Sequence, residues 1–213
     1  MKFRDLVDLV GDEPLFETGL LLVGSVNPAD VRRQLSRWTT AGRIHQLRRG
    51  LYALAPPYRK VEPHPFLVAN LLAPGSYVSL QAALAYYGLI PEYVPVVTSV
   101  GNVRPSLHRT PSGDFLFRHL KSSLFWGYEW SEVASRQHAF LATPEKSLLD
   151  LVYLQPDGGS AAYLNELRLQ NLERLDCERL QWMAERSGAA RLQKAASIVI
   201  NLAAAEAEAY LPL

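Results

Sequence analysis

The chain has 213 residues, 48% of them hydrophobic and 20% charged, an ordinary globular balance that excludes an intrinsically disordered protein. A formal net charge of +1 excludes wholesale polyanion binding by bulk charge. The single Cys177 excludes an intramolecular disulfide and a multi-cysteine zinc knuckle. That is cytosolic usage, with Cys177 read as a small packing residue.

The charge is unevenly placed. Residues 1–60 hold ten Lys and Arg against six Asp and Glu, and residues 61–213 hold twelve against fifteen. Residues 31–60 contain Arg32, Arg33, Arg37, Arg43, Arg48, Arg49, Arg59 and Lys60 and no acid at all. A basic run inside a nearly neutral chain points to a localised polyanion footprint.

In chain order, Phe3, Leu6, Leu9 and Val10 lie at helical spacing, and Gly11 ends that helix. Asp5 and Asp8 within it argue against a leader segment. A second short helix is predicted over residues 17–23, stopping at Gly24. Asn27 reads as an N-cap, with Pro28 in the first helical position and Asp30 in the first turn. The helix so begun reaches about Ala41 and ends at Gly42, with Val31, Leu35 and Trp38 as its inward stripe. Residues 43–48 and 51–54 then form a hairpin turning at Gly50. Helix, helix, capped helix, hairpin is the order of a winged helix-turn-helix, assigned to residues 1–60.

Pro56, Pro57, Pro63 and Pro65 make a stiff joint, and a second domain is placed at residues 61–213. Helices are expected over 65–72 and 79–87, the latter capped by Ser79 and closed by Gly88. Strands are expected over 94–100, 115–120 and 139–142. Thr143-Pro144-Glu145 opens a helix over 146–154. From Ser160 the chain reads as at least three helical segments, broken near Asp176 and Gly188. The longest apolar stretch, residues 195–205, is interrupted by Ser197 and Asn201. It falls short of the roughly 20 residues of a membrane span, so it reads as a buried helix. The expected fold class is therefore α+β: an N-terminal winged helix-turn-helix, then an α+β domain with a small sheet and a helical C-terminal end.

With Val31, Leu35 and Trp38 turned inward, the opposite face of the third helix carries Ala29, Arg33, Ser36, Arg37 and Thr40, with Arg32 beside them. Small, hydroxyl and guanidinium side chains are the types that enter a major groove and bond base edges or phosphates. Arg43, Arg48 and Arg49 belong to the hairpin, with Arg48 and Arg49 at the tip of the wing. The competing reading is a solvated amphipathic helix followed by a charged hairpin; the acid-free run in this element order favours double-stranded DNA.

Signals for catalysis are sparse. His45, His64, His108, His119 and His138 form no local zinc pattern, and no phosphate loop or nucleophile elbow is present. Glu145 and Lys146 are adjacent, not spaced as in a metal-dependent nuclease, and read as decoration of a capped helix. No enzyme activity, metal or cofactor is expected. Arg118, His119 and Lys121 fit either a phosphate or partner contact or ordinary alternation along a strand.

Four stretches resemble the AbiEi family, antitoxins of type IV toxin–antitoxin (abortive infection) systems. Residues 31–54, VRRQLSRWTTAGRIHQLRRGLYAL, resemble the family's winged helix. Residues 77–91, YVSLQAALAYYGLIP, are similar to its YGL block, and residues 115–128, FLFRHLKSSLFWGY, to its FWGY block. Residues 142–153, ATPEKSLLDLVY, resemble its PEKALLDL helix. The resemblance implies a repressor that binds inverted repeats in its own promoter; cysteine usage points to the cytoplasm, and a single small winged helix, which contacts few bases, points to a pair of copies on DNA. The resemblance also implies that the protein counteracts a nucleotidyltransferase toxin, directly or indirectly. Alternatives are a solitary winged-helix transcriptional regulator and a DNA-processing enzyme.

Overall fold

A computed structural model describes residues 1–23 and 26–209. Helices combine with two separate sheets, consistent with the α+β class.

Helix α1 (Phe3–Val10) ends at Gly11, whose φ of 58° suits a residue without a Cβ. The expected second helix is replaced by a two-residue strand β1 (Phe16–Glu17) and a 3-10 turn over Thr18–Leu21. Backbone pairing decides this. Phe16 and Glu17 pair antiparallel with Tyr52 and Leu51, and the Thr18 N–H donates to the Gly50 carbonyl at 2.9 Å. The predicted stop at Gly24 lies outside the described residues. Helix α2 (Pro28–Thr40) begins as expected: the Asn27 side chain accepts from the Ala29 N–H at 2.8 Å, and Val31, Leu35 and Trp38 are its buried residues. Strands β2 (Ile44–Arg48) and β3 (Leu51–Leu54) form the hairpin. With β1 they make a three-stranded sheet, in the order β1-β3-β2.

Beyond the joint come α3 (Pro65–Leu72), β4 (Ser76–Val78), α4 (Leu80–Tyr86), β5 (Val96–Gly101), β6 (Ser106–Thr110), β7 (Gly113–His119), β8 (Tyr128–Ala134) and β9 (Gln137–Ala142). Then follow α5 (Pro144–Leu154), α6 (Ala161–Glu166), α7 (Cys177–Arg186) and α8 (Ala190–Ala209). The small sheet expected from sequence has six strands, in the order β6-β7-β5-β4-β9-β8. Pairs β5–β7 and β4–β9 are parallel and the others antiparallel. Sequence reading missed β4, β6 and β8. β4 has only three residues, and β8, Tyr-Glu-Trp-Ser-Glu-Val-Ala, has polar and half-exposed positions on both faces.

The sheet separates two cores. Adjacent residues of β4 project to opposite faces. Tyr77 joins Leu84, Val100, Leu148, Val152 and Leu180 on the helical side. Val78 joins Phe66, Val68, Phe115, Phe117 and Leu141 on the α3 side. A third core, including Leu6, Val31, Leu35, Trp38 and Ile44, belongs to residues 3–54 alone. Leu15, Leu47, Leu51 and Ala53 instead join the α3-side core, so apolar packing crosses the proline-rich joint. Polar contacts cross it as well. The Arg48 Nε–H donates to the Leu71 carbonyl at 2.8 Å, and Arg136 pairs with Asp12 at 3.9 Å.

His64 sits in this joint as the N-cap of α3, its Nδ1 accepting from the Phe66 N–H at 3.2 Å. Burial lowers its pKa below the ordinary histidine value. A protonated ring cannot accept that bond. The folded state therefore favours the neutral ring, and this contribution is present above the unfolded pKa, about 6.5, and lost as pH falls below it. The melting temperature should fall between pH 7 and 5, and His64→Asn, which keeps a capping acceptor, should flatten that fall. Scanning calorimetry of both proteins checks it; parallel profiles would remove His64 from the account.

Candidate nucleic-acid interface

The outward face of α2 is built by its inward one. Once Val31, Leu35 and Trp38 are buried to 6% exposure or less, helical geometry turns Arg32, Arg33, Ser36, Arg37 and Thr40 outward, and all five are exposed. Arg33 makes an exposed pair with Asp30 at 3.3 Å. Such pairs contribute about 0–1 kcal/mol and leave the guanidinium available. Arg43, just past the helix, lies over the Phe3 ring at 5.1 Å, and Phe3 packs edge-on against Trp38 at 5.5 Å. This arrangement ties α1 to the C-terminal end of α2 and leaves Arg43 exposed.

The eight basic residues of the run divide into two groups. Arg32, Arg37, Arg43 and Arg49 are exposed and make no ion pair among the described residues, and Arg33 makes only the weak one. Arg48, Arg59 and Lys60 are paired with Glu17, Glu62 and Asp12. Arg48 departs most from its expected place at a wing tip. It is half-buried, and its three guanidinium nitrogens donate to the Leu71 carbonyl, the Arg49 carbonyl and Glu17. It holds the hairpin onto α3 and β1. Arg49 is the exposed arginine of that turn.

Arg118, His119 and Lys121 do not share this face. Arg118 is half-buried and reaches the Leu154 carbonyl at 3.4 Å, while His119 and Lys121 are exposed at the end of β7. Among the described residues no three His, Cys, Asp or Glu side chains gather as a metal site, and no helix is long and apolar enough to cross a membrane.

Sequence reading missed a buried ionic cluster. Glu145 and Lys146, read as surface decoration, are both 2% exposed. Lys146 Nζ donates to Asp150 Oδ1, one helical turn on. Tyr77 and Ser79 donate their hydroxyls to Asp150 Oδ2 at 2.9 and 2.8 Å. The Lys146 amine also lies over the Trp126 and Tyr77 rings at 5.2 and 5.7 Å. Burial pushes the Asp150 carboxyl up and the Lys146 amine down, with their mutual attraction opposing both shifts. Burial, then the charge of Asp150, raises the Tyr77 phenol. The signal was present in sequence: Lys146 and Asp150 stand at i and i+4 in Lys-Ser-Leu-Leu-Asp-Leu-Val-Tyr-Leu, a helix apolar around most of its circumference.

The cluster also reassigns Ser79. Its hydroxyl is committed to Asp150, so it does not cap α4. Thr98 of β5 takes that part, accepting from the Ala82 N–H at 3.2 Å and donating to the Ser79 carbonyl at 2.7 Å. Leu80 enters the helix at φ 61°, a left-handed conformation that costs a leucine about 1–3 kcal/mol. Gly127, at φ 77°, lies against the Lys146 stem, where a Cβ would approach it to 3.0 Å. Only about 10 Å³ of empty space adjoins Lys146 and Asp150, room for one water at most.

Comparison with protein-family models gives no match, and no curated protein is significantly similar to the chain. Three separate stretches of the chain meet at this cluster: Tyr77 and Ser79, then Trp126 and Gly127, then Lys146 and Asp150.

Proposed function

We propose that the protein is a cytoplasmic DNA-binding antitoxin whose first 60 residues act as a winged helix-turn-helix and whose remainder counteracts a nucleotidyltransferase toxin. One observation carries the DNA-binding half: the division of the basic run. Cations needed for the fold are paired, whereas Arg32, Arg33, Arg37, Arg43 and Arg49 stay exposed on or beside a single capped helix. Among the described residues only Asp30, in its exposed pair with Arg33, offsets that concentration of guanidinium groups, and phosphate backbones neutralise such groups with release of counterions. Ser36 and Thr40, exposed between the arginines, supply short hydroxyl contacts to base edges or phosphates. One such unit reads few base pairs, so two copies on an inverted repeat, a DNA turn apart, supply the specificity. The protein acts by binding, without catalysis.

The antitoxin half rests on the resemblance to AbiEi antitoxins over residues 31–153. Full-length protein carrying Arg33→Ala with Arg37→Ala tests both halves. Both positions are exposed, so the fold should persist. Gel shift on the protein's own promoter should show binding reduced at least tenfold, while growth rescue on co-expression with the nucleotidyltransferase toxin that this reading requires in the same operon should persist. Intact promoter binding by the double variant would remove α2 as the DNA-reading element. Failure of the native protein to rescue growth would remove the antitoxin reading.

A further inference from the structure

We infer that the trough between α7 and α8 is a docking site for a basic amphipathic helix of a partner protein. The inference stands on the shape and charge of this surface and does not depend on the DNA-binding reading.

Helix α8 carries two successive apolar stripes. Leu192, Ala195, Ala196 and Val199 are buried in the chain's own core. Ile200, Ala203, Ala204 and Ala207 repeat the same spacing further along, yet they are half-buried or exposed. They form one wall of a cavity of about 690 Å³, with Leu172 and Leu175 among the residues opposite. Cys177 and Ile200 also line a second depression of about 400 Å³, which continues along α7 to Trp182. The two make one elongated trough, and Trp182 stands 52% exposed at its end.

The rim is acidic. Glu173 and Glu206 flank the larger cavity, and Glu178 and Glu185, two helical turns apart on α7, flank the smaller one. No Lys or Arg is among the described residues lining either part. Arg186, next to Glu185, is stacked over Trp126 and Trp182 at 4.9 and 5.1 Å. An apolar floor between glutamates of one sign matches a helix with Leu-type anchors at i, i+3, i+4 and i+7 and Lys or Arg on either side. It repels nucleic acid and acidic segments. A compact apolar ligand would fill the larger cavity but leave the length and the charged rim unused.

The probe is a dye-labelled synthetic helix of about 18 residues, or five turns, with Leu at those spacings and Lys elsewhere. Fluorescence anisotropy with the full-length protein should give saturable binding that weakens with salt. The same peptide with Glu for Lys, and one with the Leu positions scrambled, should not bind. Glu178→Lys with Glu185→Lys should weaken binding about tenfold or more through like-charge repulsion. Ala204→Trp, at an exposed position, should block the floor in protein with an unchanged melting temperature. Equal binding of the scrambled peptide, or indifference to both variants, would overturn the proposal. So would binding that appears only after removal of residues 210–213, which would make the chain's own end the occupant. A native dimer that Ala204→Trp dissociates would assign the trough to a second copy and overturn it likewise.

Discussion

Changing Lys146 to Ala should lower the unfolding free energy by about 3–5 kcal/mol, because it strands the Asp150 carboxylate in a dry interior. Asp150 is 1% exposed, and without Lys146 its remaining donors are the hydroxyls of Tyr77 and Ser79. Changing Asp150 to Ala should cost a comparable amount, leaving Lys146 with only ring faces. The double change Lys146→Met with Asp150→Leu removes both charges and restores apolar volume, so it should cost well below the sum of the two single losses. A cost remains because two buried hydroxyls lose their acceptor, at about 1–3 kcal/mol each. Urea unfolding of Lys146→Met, Asp150→Leu and the double change measures the coupling. Losses that simply add in the double variant would show that the two charges do not stabilise one another. DNA binding should survive in any of these variants that remains folded at assay temperature, because α2 packs within a separate core.

The second expected result concerns the basic run residue by residue. Arg37→Ala should reduce the salt slope of log affinity for promoter DNA by about one if Arg37 neutralises a phosphate. If it reads a base, the loss should be about 1–3 kcal/mol with relaxed preference at one position. Arg59→Ala should leave the slope unchanged, since Glu62 neutralises its largely buried guanidinium, and Lys60→Ala should reduce it less than Arg37→Ala, since Asp12 offsets part of its charge in an exposed pair. Arg48→Ala should instead lower the melting temperature, because it removes the donor to the Leu71 carbonyl and the partner of Glu17. Filter binding across a salt series separates the groups. An equal loss of slope at Arg37, Arg59 and Lys60 would mean that the footprint is diffuse and that pairing within the chain does not select the contacts.

The sequence by itself determined the elements whose signals are local. Asn27 before Pro28, a stripe at i, i+4 and i+7, and Gly42 after the last turn are sufficient for α2. Thr143-Pro144 is sufficient for the start of α5, where the Thr143 hydroxyl accepts from the Lys146 N–H at 3.3 Å. The exposed arginines of α2 followed from its stripe, since helical geometry leaves them no other side. Tertiary structure decided what depends on distant partners. Phe16 and Glu17 are strand only because Tyr52 and Leu51 pair with them. The β4 strand, only three residues long, exists because β5 and β9 lie on either side of it. Ser79 has a standard capping side chain, but a buried carboxylate 71 residues away competes for its hydroxyl. The same competition turned Lys146 inward and committed the Arg48 guanidinium to the Leu71 carbonyl and Glu17. A charged side chain follows whichever partner most reduces its desolvation cost, and that partner is fixed only once the chain has folded.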